Sequence, residues 1–131
     1  MRPRGWFGVG MTDITTVIDH YIAAWNEADP ERRREIVGRA FAKDATYLDP
    51  LMSGDGQDGI SAMIGGAQQQ FPGHRFELSM GPDAHNDRVR FAWSLVGDGG
   101  PVAAGVDFAT VADDGRLRAV TGFLEPTHAS T

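Results

Sequence analysis

The chain contains no cysteine among its 131 residues, so disulfide bonds and thiol chemistry are both excluded. Basic residues are also scarce, since 12 Lys and Arg stand against 18 Asp and Glu and the formal net charge is −6. This balance argues against nucleic acid or an anionic membrane surface as a partner. No apolar run reaches the length of a membrane-spanning helix, and the N-terminal residues have no apolar core typical of a secretory signal. The sequence therefore predicts a cytoplasmic protein.

Several sequence motifs with known chemistry are missing as well. The chain has no P-loop, no dinucleotide-binding G-x-G-x-x-G, no H-E-x-x-H and no G-x-S-x-G. Its histidines show no spacing typical of metal ligands, so we expect neither a metal nor a cofactor. The length suits one domain with a single core, which we place over residues 12–126, after a flexible extension (1–11) and before a short tail (127–131).

The stretch from Pro101 to Pro126 has the pattern of a β-hairpin that turns at Asp114-Gly115 in a type I′ turn. Counting outward from that turn pairs Asp113 with Arg116, and Asp107 with a glycine. Because side chains alternate along a strand, one face of the hairpin then carries a single carboxylate among small and apolar residues. That face holds Gly105, Asp107, Ala109, Val120, Gly122 and Leu124.

Asp107 is the anomaly of this hairpin, because a buried ionised carboxylate is unfavourable unless it is paired or protonated. One interpretation is a cavity with an acid in its wall, for which Gly105 and Gly122 leave space. The alternative is that Asp107 bonds to a neighbouring loop and the glycines mark a bulge. The opposite face, with Phe108 and Phe123, indicates ordinary packing.

Apolar residues at helical spacing predict three helices before the sheet. The first begins at about Thr12 and has Tyr21 within its apolar stripe, either as a core residue or as a catalyst. The second follows the Asp29-Pro30 cap and runs to about Phe41, with residues 32–34, three arginines, as a solvated face. The third spans about 59–71.

The short strand Ala45–Pro50 places Tyr47 and Asp49 on one face. Asp49 either makes the turn before Pro50 or contributes a carboxylate at the mouth of a cavity. Residues 53–58 indicate a loop, and two alternating segments follow, with Phe76, Leu78 and Met80 and then Val89, Phe91, Trp93 and Leu95 on their apolar faces. Helices followed by a mostly antiparallel meander predict an α+β domain with helices on one side of a curved sheet.

The segments "HYIAAW", "DATYLDP", "FPGH" and "GVDFATVADDGRLRAVTGF" together resemble the nuclear transport factor 2-like superfamily. Within it, the chain is similar to the branch of SnoaL-like polyketide cyclases and ketosteroid isomerases, over about residues 12–125. The resemblance implies a cone-shaped, mixed but mostly antiparallel sheet wrapped by three helices around a pocket, in a homodimer. It also implies that Tyr21, Asp49 and Asp107 converge on a substrate.

The resemblance implies proton transfer on a small hydrophobic carbonyl compound. Asp49 would act as the ionised base, while Tyr21 and a protonated Asp107 would donate hydrogen bonds to the enolate oxygen; ketosteroid isomerase is the known example of this division. A cyclase variant would use Asp107 as the acid and base. Isomerases carry further aromatic hydroxyls where this chain has Met63, Ile64 and Gly65, so that part of their hydrogen-bond network is not matched.

Two other functions fit the residues less closely. One is a non-catalytic module that binds a small hydrophobic molecule. The other is epoxide hydrolysis by an Asp-Arg-Asp arrangement, although Arg88 and Arg90 alternate with the apolar residues of their strand. The predicted pocket wall is the same for the proton-transfer enzyme and for the binding module. It consists of Trp25, Tyr47, Met63, Phe91, Trp93, Gly105, Val120, Gly122 and Leu124.

Overall fold

The computed structural model describes residues 11–126, so the predicted tail and the predicted extension, apart from Met11, lie outside the described part of the chain. The described residues form three helices and six strands. In chain order these are α1 (Met11–Asn26), α2 (Pro30–Ala40), β1 (Phe41–Leu48), β2 (Ser53–Asp55), α3 (Gly56–Gln70), β3 (Arg75–His85), β4 (Arg88–Gly97), β5 (Gly100–Val111) and β6 (Leu117–Leu124).

The strands form one sheet in the order β2-β1-β6-β5-β4-β3. Strands β3 to β6 are an antiparallel meander, β1 runs parallel to β6, and β2 is antiparallel to β1. Buried residues of the helices, such as Ile18, Val37 and Ile64, share one core with sheet residues such as Phe41 and Val120. The predicted α+β fold with a mixed, mostly antiparallel sheet is confirmed. No helix within residues 11–126 is long and apolar enough to cross a membrane.

The helices begin where capping chemistry places them. The Asp29 carboxylate accepts the backbone N–H of Arg32 at 2.9 Å, and Pro30 occupies the first turn of α2. Helix α2 ends at Ala40 rather than at the predicted Phe41. Helix α3 begins at Gly56, three residues before the predicted start, because the preceding residues form β2 instead of the predicted loop.

Arg33 corrects the prediction that all three arginines of α2 face solvent. It is only 6% exposed, because it falls on the same helical stripe as Val37 and Ala40. Its guanidinium donates to two backbone oxygens of the loop between α1 and α2 and to one of α3. A Cβ on Gly65 would stand 2.9 Å from Arg33 Nη1, so the missing side chain at Gly65 makes room for this arginine.

The hairpin of β5 and β6 has the predicted register around Asp107, which pairs with Gly122. The predicted two-residue turn is wrong. The chain reverses from Ala112 to Arg116, with Ala112 N–H donating to Arg116 O, and a register shift after Thr110 absorbs the longer turn. Gly115 has a φ of +89°, which glycine adopts without strain.

Two predictions about exposure also fail. Met80 is 70% exposed, because a register shift after Leu78 moves it off the apolar face of β3. Phe108 and Phe123, expected to pack, are 50% and 58% exposed on the outer face of the sheet. No part of residues 11–126 therefore covers these two side chains.

Candidate active site

A cavity of ≈ 110 Å³ lies between α1 and the inner face of the sheet. Its wall is formed mainly by aromatic and aliphatic side chains, and the polar groups come from a few residues. Of the predicted site residues, the structure brings seven together there: Tyr21, Trp25, Tyr47, Asp49, Trp93, Asp107 and Leu124.

Asp107, in the middle of β5, is 2% exposed. Its Oδ2 accepts the Tyr21 hydroxyl at 2.5 Å, and its Oδ1 accepts the indole N–H of Trp93 at 3.1 Å. Burial raises the pKa of Asp107 to about 6, against the two hydrogen bonds that lower it, and the charge of Asp49 raises it further. The group therefore changes charge just below neutral pH.

Tyr21 reaches Asp107 because its place in the apolar stripe of α1 turns it towards the sheet. Its ring packs against Phe41 and Phe91, with centroids 5.5 and 5.0 Å away. Burial, and then the nearby charge of Asp107, raise the pKa of the Tyr21 hydroxyl well above its usual value. The ring of Tyr21 therefore belongs to the core and its hydroxyl stays protonated as a donor to the acid, while the catalytic interpretation stays a prediction.

Asp49 lies at the end of β1 and is half-buried. Its Oδ1 accepts the backbone N–H groups of Leu51 and Met52 at 2.8 and 2.9 Å, which fixes the turn around Pro50. Its Oδ2 accepts the Tyr47 hydroxyl at 2.6 Å. Asp49 therefore makes the turn and also lines the cavity, so its two predicted roles are combined in one side chain.

Gly122 of β6 leaves room for two hydrogen-bonded pairs, Tyr21 with Asp107 and Tyr47 with Asp49, to lie near each other. A Cβ placed on Gly122 would stand 2.8 Å from Asp107 Oδ1, 3.1 Å from Asp49 Cβ and 3.2 Å from the Tyr47 hydroxyl oxygen. All three groups thus crowd around one point. Gly105 plays the same part for Trp93, because its Cβ would overlap the indole ring that lies across it. Side chains therefore occupy the space that these two glycines were expected to leave empty.

Some predicted wall residues lie elsewhere. Phe91 is one layer behind Tyr21, and Met63 and Val120 pack in or against the main core. Gly105 and Gly122 support the wall from beneath. Sequence reasoning missed other wall residues, namely Ile22, Leu51, Met52, Ala67, Phe71, Phe76, Leu95 and Ala103. Phe76 and Leu95 share the inner sheet face with Trp93, so the alternation of β3 and β4 did carry a signal for them.

The structure separates the arginines of β4 from this site. Arg88 and Arg90 are exposed and pair with Asp87 and Asp83 on their own side of the sheet. Within residues 11–126 the cavity wall contains no arginine, so the Asp-Arg-Asp arrangement of epoxide hydrolysis is not formed there. The same part of the chain holds no cluster of three or more His, Asp or Glu side chains suited to a metal ion.

Solved structures with the same fold include one with high sequence identity. A candidate isomerase of the SnoaL-like family from Agrobacterium tumefaciens is 49% identical, with a TM-score of 0.83 over 88% of this chain and 100% of that one. A candidate SnoaL-like polyketide cyclase from Jannaschia sp. is 15% identical, with a TM-score of 0.71 over 88% and 87% of the two chains. At that identity, the likeness concerns the fold alone.

No curated protein matches the chain. The family model described as "SnoaL-like domain" matches residues 18–120. Structures of the same fold include proteins described as nuclear transport factor 2-like and as cystatin-like, several of unknown function. The chain therefore belongs to the SnoaL-like domain family.

Proposed function

We propose that the chain catalyses proton transfer on a small, mostly apolar carbonyl compound, as an isomerase or an aldol-type cyclase. The observation that carries the proposal is Asp107, a buried carboxyl group with a pKa of about 6 in the wall of an apolar cavity. Acids and bases work best when their pKa lies close to the operating pH. Buried acids with specific partners in a cleft are also enriched at functional sites.

The two carboxylates suit different parts of such a reaction. Asp49, at the half-buried end of β1, would take a proton from the carbon next to the carbonyl group. Tyr21 and the protonated form of Asp107 would donate hydrogen bonds to the enolate oxygen. In isomerisation Asp49 then returns the proton to a different carbon. In the cyclase variant Asp107 removes the proton instead, the enolate carbon bonds to a second carbonyl carbon, and the alkoxide formed from that carbonyl takes the proton back from Asp107. Preorganised donors of this kind contribute about 10²–10³ each in rate.

The two variants of this reaction differ in the required state of Asp107. As a hydrogen-bond donor it must be protonated, so the rate would fall as the pH rises through about 6. As the base of a cyclase it must be ionised, so the rate would rise through the same range. The sign of the pH profile therefore distinguishes isomerase from cyclase.

The size of the cavity favours a compact substrate. At ≈ 110 Å³ it is far below the ~300–1,000 Å³ of pockets for drug-sized ligands. An engineered apolar cavity of about 150 Å³ is known to hold benzene. A single six-membered ring is therefore the right scale for a first substrate.

The test is the conversion of cyclohex-3-en-1-one to its conjugated isomer, followed by the ultraviolet absorbance of the product. This reaction moves one proton from the carbon beside the carbonyl to the far end of the double bond. We expect wild-type protein to accelerate it, and Asp49→Asn to lower the rate by about 10²–10⁴. Asp98→Asn, in the exposed β4–β5 turn, is the matched control and should keep the wild-type rate.

A non-catalytic ligand-binding module is the alternative, and the largely apolar wall of the cavity favours it. In that case cyclohexenone would bind, and the Asp49→Asn and Asp107→Asn variants would bind it equally well. Wild-type protein would not accelerate isomerisation above the Asp49→Asn variant at any pH between 5 and 8. That combination of results would refute the proposed enzyme and support a module that only binds its ligand.

We also propose that two copies of the chain pair through the outer face of the sheet. Phe108 and Phe123 are half-exposed there on adjacent strands, and monomers rarely leave contiguous apolar patches uncovered. Sedimentation of wild-type protein should give a dimer, and Phe123→Glu should give a monomer. A monomeric wild type would refute this pairing without affecting the cavity.

A further inference from the structure

The polar groups around the cavity are almost all used by one another. The Tyr21 hydroxyl and the Trp93 indole N–H donate to Asp107, and the Tyr47 hydroxyl donates to Asp49. Asp49 also accepts two backbone N–H groups. A ligand that enters the cavity therefore meets few donors that are free to bind it.

Trp25 is the exception. Its indole Nε1 is buried and makes no hydrogen bond to any residue that the structure describes, and the side chain is only 7% exposed. A buried donor without a partner costs about 1–3 kcal/mol. Such a group therefore needs an explanation, and here it belongs to a residue that lines the cavity.

The position of Trp25 is fixed from several sides. It follows Tyr21 by four residues on α1, which places both on the same helical face. Its ring lies against Tyr47 and Phe76, with centroids 5.6 and 5.1 Å away, and its carbonyl oxygen accepts the Gln68 side chain at 3.0 Å. The indole therefore has little freedom to turn away from the cavity.

The indole N–H lies close enough to the Tyr21 hydroxyl to affect its pKa. It lowers the pKa of Tyr21, against the larger effects of burial and Asp107 that raise it, although the two groups do not reach hydrogen-bond geometry. A ligand oxygen that accepts from the Trp25 indole would therefore lie beside the Tyr21–Asp107 pair. Carbonyl oxygens are suited to this position, since they accept hydrogen bonds and donate none.

We propose that the indole N–H of Trp25 is the donor that anchors the ligand, and that it selects compounds with a carbonyl oxygen over hydrocarbons of the same shape. This role rests on the proposed function in one respect, because both require that the ligand in the cavity carries a carbonyl group. It assigns Trp25 to substrate specificity, in addition to its apolar contact with the cavity. A hydrocarbon would fill the same space and leave the donor unsatisfied.

The test compares two probes of nearly equal shape, cyclohexanone and methylenecyclohexane, by NMR of protein labelled with ¹⁵N-tryptophan. The indole signals are assigned with single Trp→Phe variants. Cyclohexanone should move the Trp25 indole proton downfield, as expected for a new hydrogen bond, and methylenecyclohexane should not. The Trp93 indole already donates to Asp107, so it serves as the internal control.

Affinity gives a second readout. Trp25→Phe should weaken cyclohexanone binding by about three- to tenfold, the equivalent of one hydrogen bond, and leave methylenecyclohexane binding nearly unchanged. Equal losses for both probes would overturn the proposal, because they would reflect packing alone. An indole proton that does not respond to cyclohexanone at the highest soluble concentration would overturn it too.

Failure of this proposal is distinguishable from failure of the proposed function. If Trp25 responds selectively to cyclohexanone but no variant changes the isomerisation rate, the proposal for Trp25 is supported and the proposed catalysis is refuted. If isomerisation depends on Asp49 but Trp25 responds equally to both probes, the proposed catalysis is supported and the proposal for Trp25 is refuted.

Discussion

The cavity contains two pairs of one aspartate and one tyrosine, and the pairs differ in their surroundings. Asp107 and Tyr21 are almost fully buried, and the remaining Asp107 oxygen is bound by a side chain, Trp93. Asp49 is half-buried, and its remaining oxygen is bound by the backbone of its own turn. The same two residue types thus form a pair within the core and a pair at its edge.

This difference separates the chemical properties of the two acids. Burial raises the pKa of Asp107 to about 6, so its charge depends on pH near neutrality. All hydrogen bonds of the Asp49 carboxylate come from residues within three positions of it, so they do not depend on contacts between distant parts of the fold. Environment, rather than residue type, therefore divides the proposed roles between the two acids.

Among the changes that compare the two pairs, the largest effect is expected when the Tyr21 and Tyr47 hydroxyls are removed one at a time. Tyr21→Phe should lower the isomerisation rate by about 10²–10³, because it removes a donor to the enolate oxygen. Tyr47→Phe should lower it by less than about tenfold, since Asp49 keeps two backbone donors. Rate measurements on the two variants decide this, and equal losses would show that the pairs do not differ in role.

The pH dependence of stability tests the buried pair directly. The pKa of Asp107 is raised in the folded state, so the folded protein binds more protons than the unfolded chain between about pH 4 and 6. This contribution to stability is complete below that range and is lost as the pH rises through about 6. Relative to Asp107→Asn, the unfolding free energy of wild type should fall by about 2–3 kcal/mol from pH 4 to 7.

Urea denaturation at several pH values measures this difference, with Asp49→Asn as the parallel variant. A constant gap between wild type and Asp107→Asn across the range would contradict the raised pKa. Asp107→Leu is a second variant without the charge, and it keeps the number and branching of the side-chain heavy atoms although its methyl groups are larger than the carboxylate oxygens.

The contact point between the pairs can be tested through Gly122. Gly122→Ala would press a methyl group against both acid pairs, and overpacking of this kind costs about 1–3 kcal/mol. Gly66→Ala is the matched control, because nothing lies within 4 Å of the added Cβ on α3. That change should stabilise the protein by about 0.5–1 kcal/mol. Thermal unfolding distinguishes the two, and a neutral Gly122→Ala would show that the pairs are not in contact there.

The smallest expected effect concerns the second donor to the buried acid. Trp93→Phe removes a hydrogen bond that lowers the pKa of Asp107, so that pKa should rise by less than about one unit. Carboxyl ¹³C NMR titration measures the change. Gln69→Ala, an exposed change on α3, should leave the titration as it is in wild type. A pKa that does not rise in Trp93→Phe would mean that the indole does not stabilise the carboxylate.

Much of the fold could be predicted because its patterns are local. The spacing of apolar residues indicates α1, and the alternation of side chains along the hairpin is enough to place Asp107 opposite Gly122. The burial of Arg33 was not predicted, because charged residues usually prefer solvent, although its helical spacing from Val37 is compatible with an inward position. The carbonyl oxygens that accept from its guanidinium belong to the α1–α2 loop and to α3, and no local pattern shows that these two segments meet at Arg33.

The details of the cavity depended on long-range register. Trp93 reaches Asp107 because β4 and β5 pair with Trp93 opposite Gly105, and a register shift near the β4–β5 turn hides this from simple counting. Leu51 and Met52 line the cavity because the Asp49 carboxylate folds their turn back on it. Such contacts depend on where several elements meet, and not on the spacing of residues within one of them.

Arg33 has a consequence for the molecule as a whole. Its guanidinium connects α2 to the loop after α1 and to α3 through the Glu27, Ala28 and Ser61 carbonyls and the Gln68 side-chain oxygen, which are all neutral acceptors. Neutral acceptors do not titrate, and an arginine stays charged at any ordinary pH. The junction between the helices is thus indifferent to acidity. Mild acid would protonate Asp107 in the cavity while the hydrogen bonds of Arg33 between the helical segments stay the same. A change in pH would therefore alter the proposed chemistry of the site before it alters the fold.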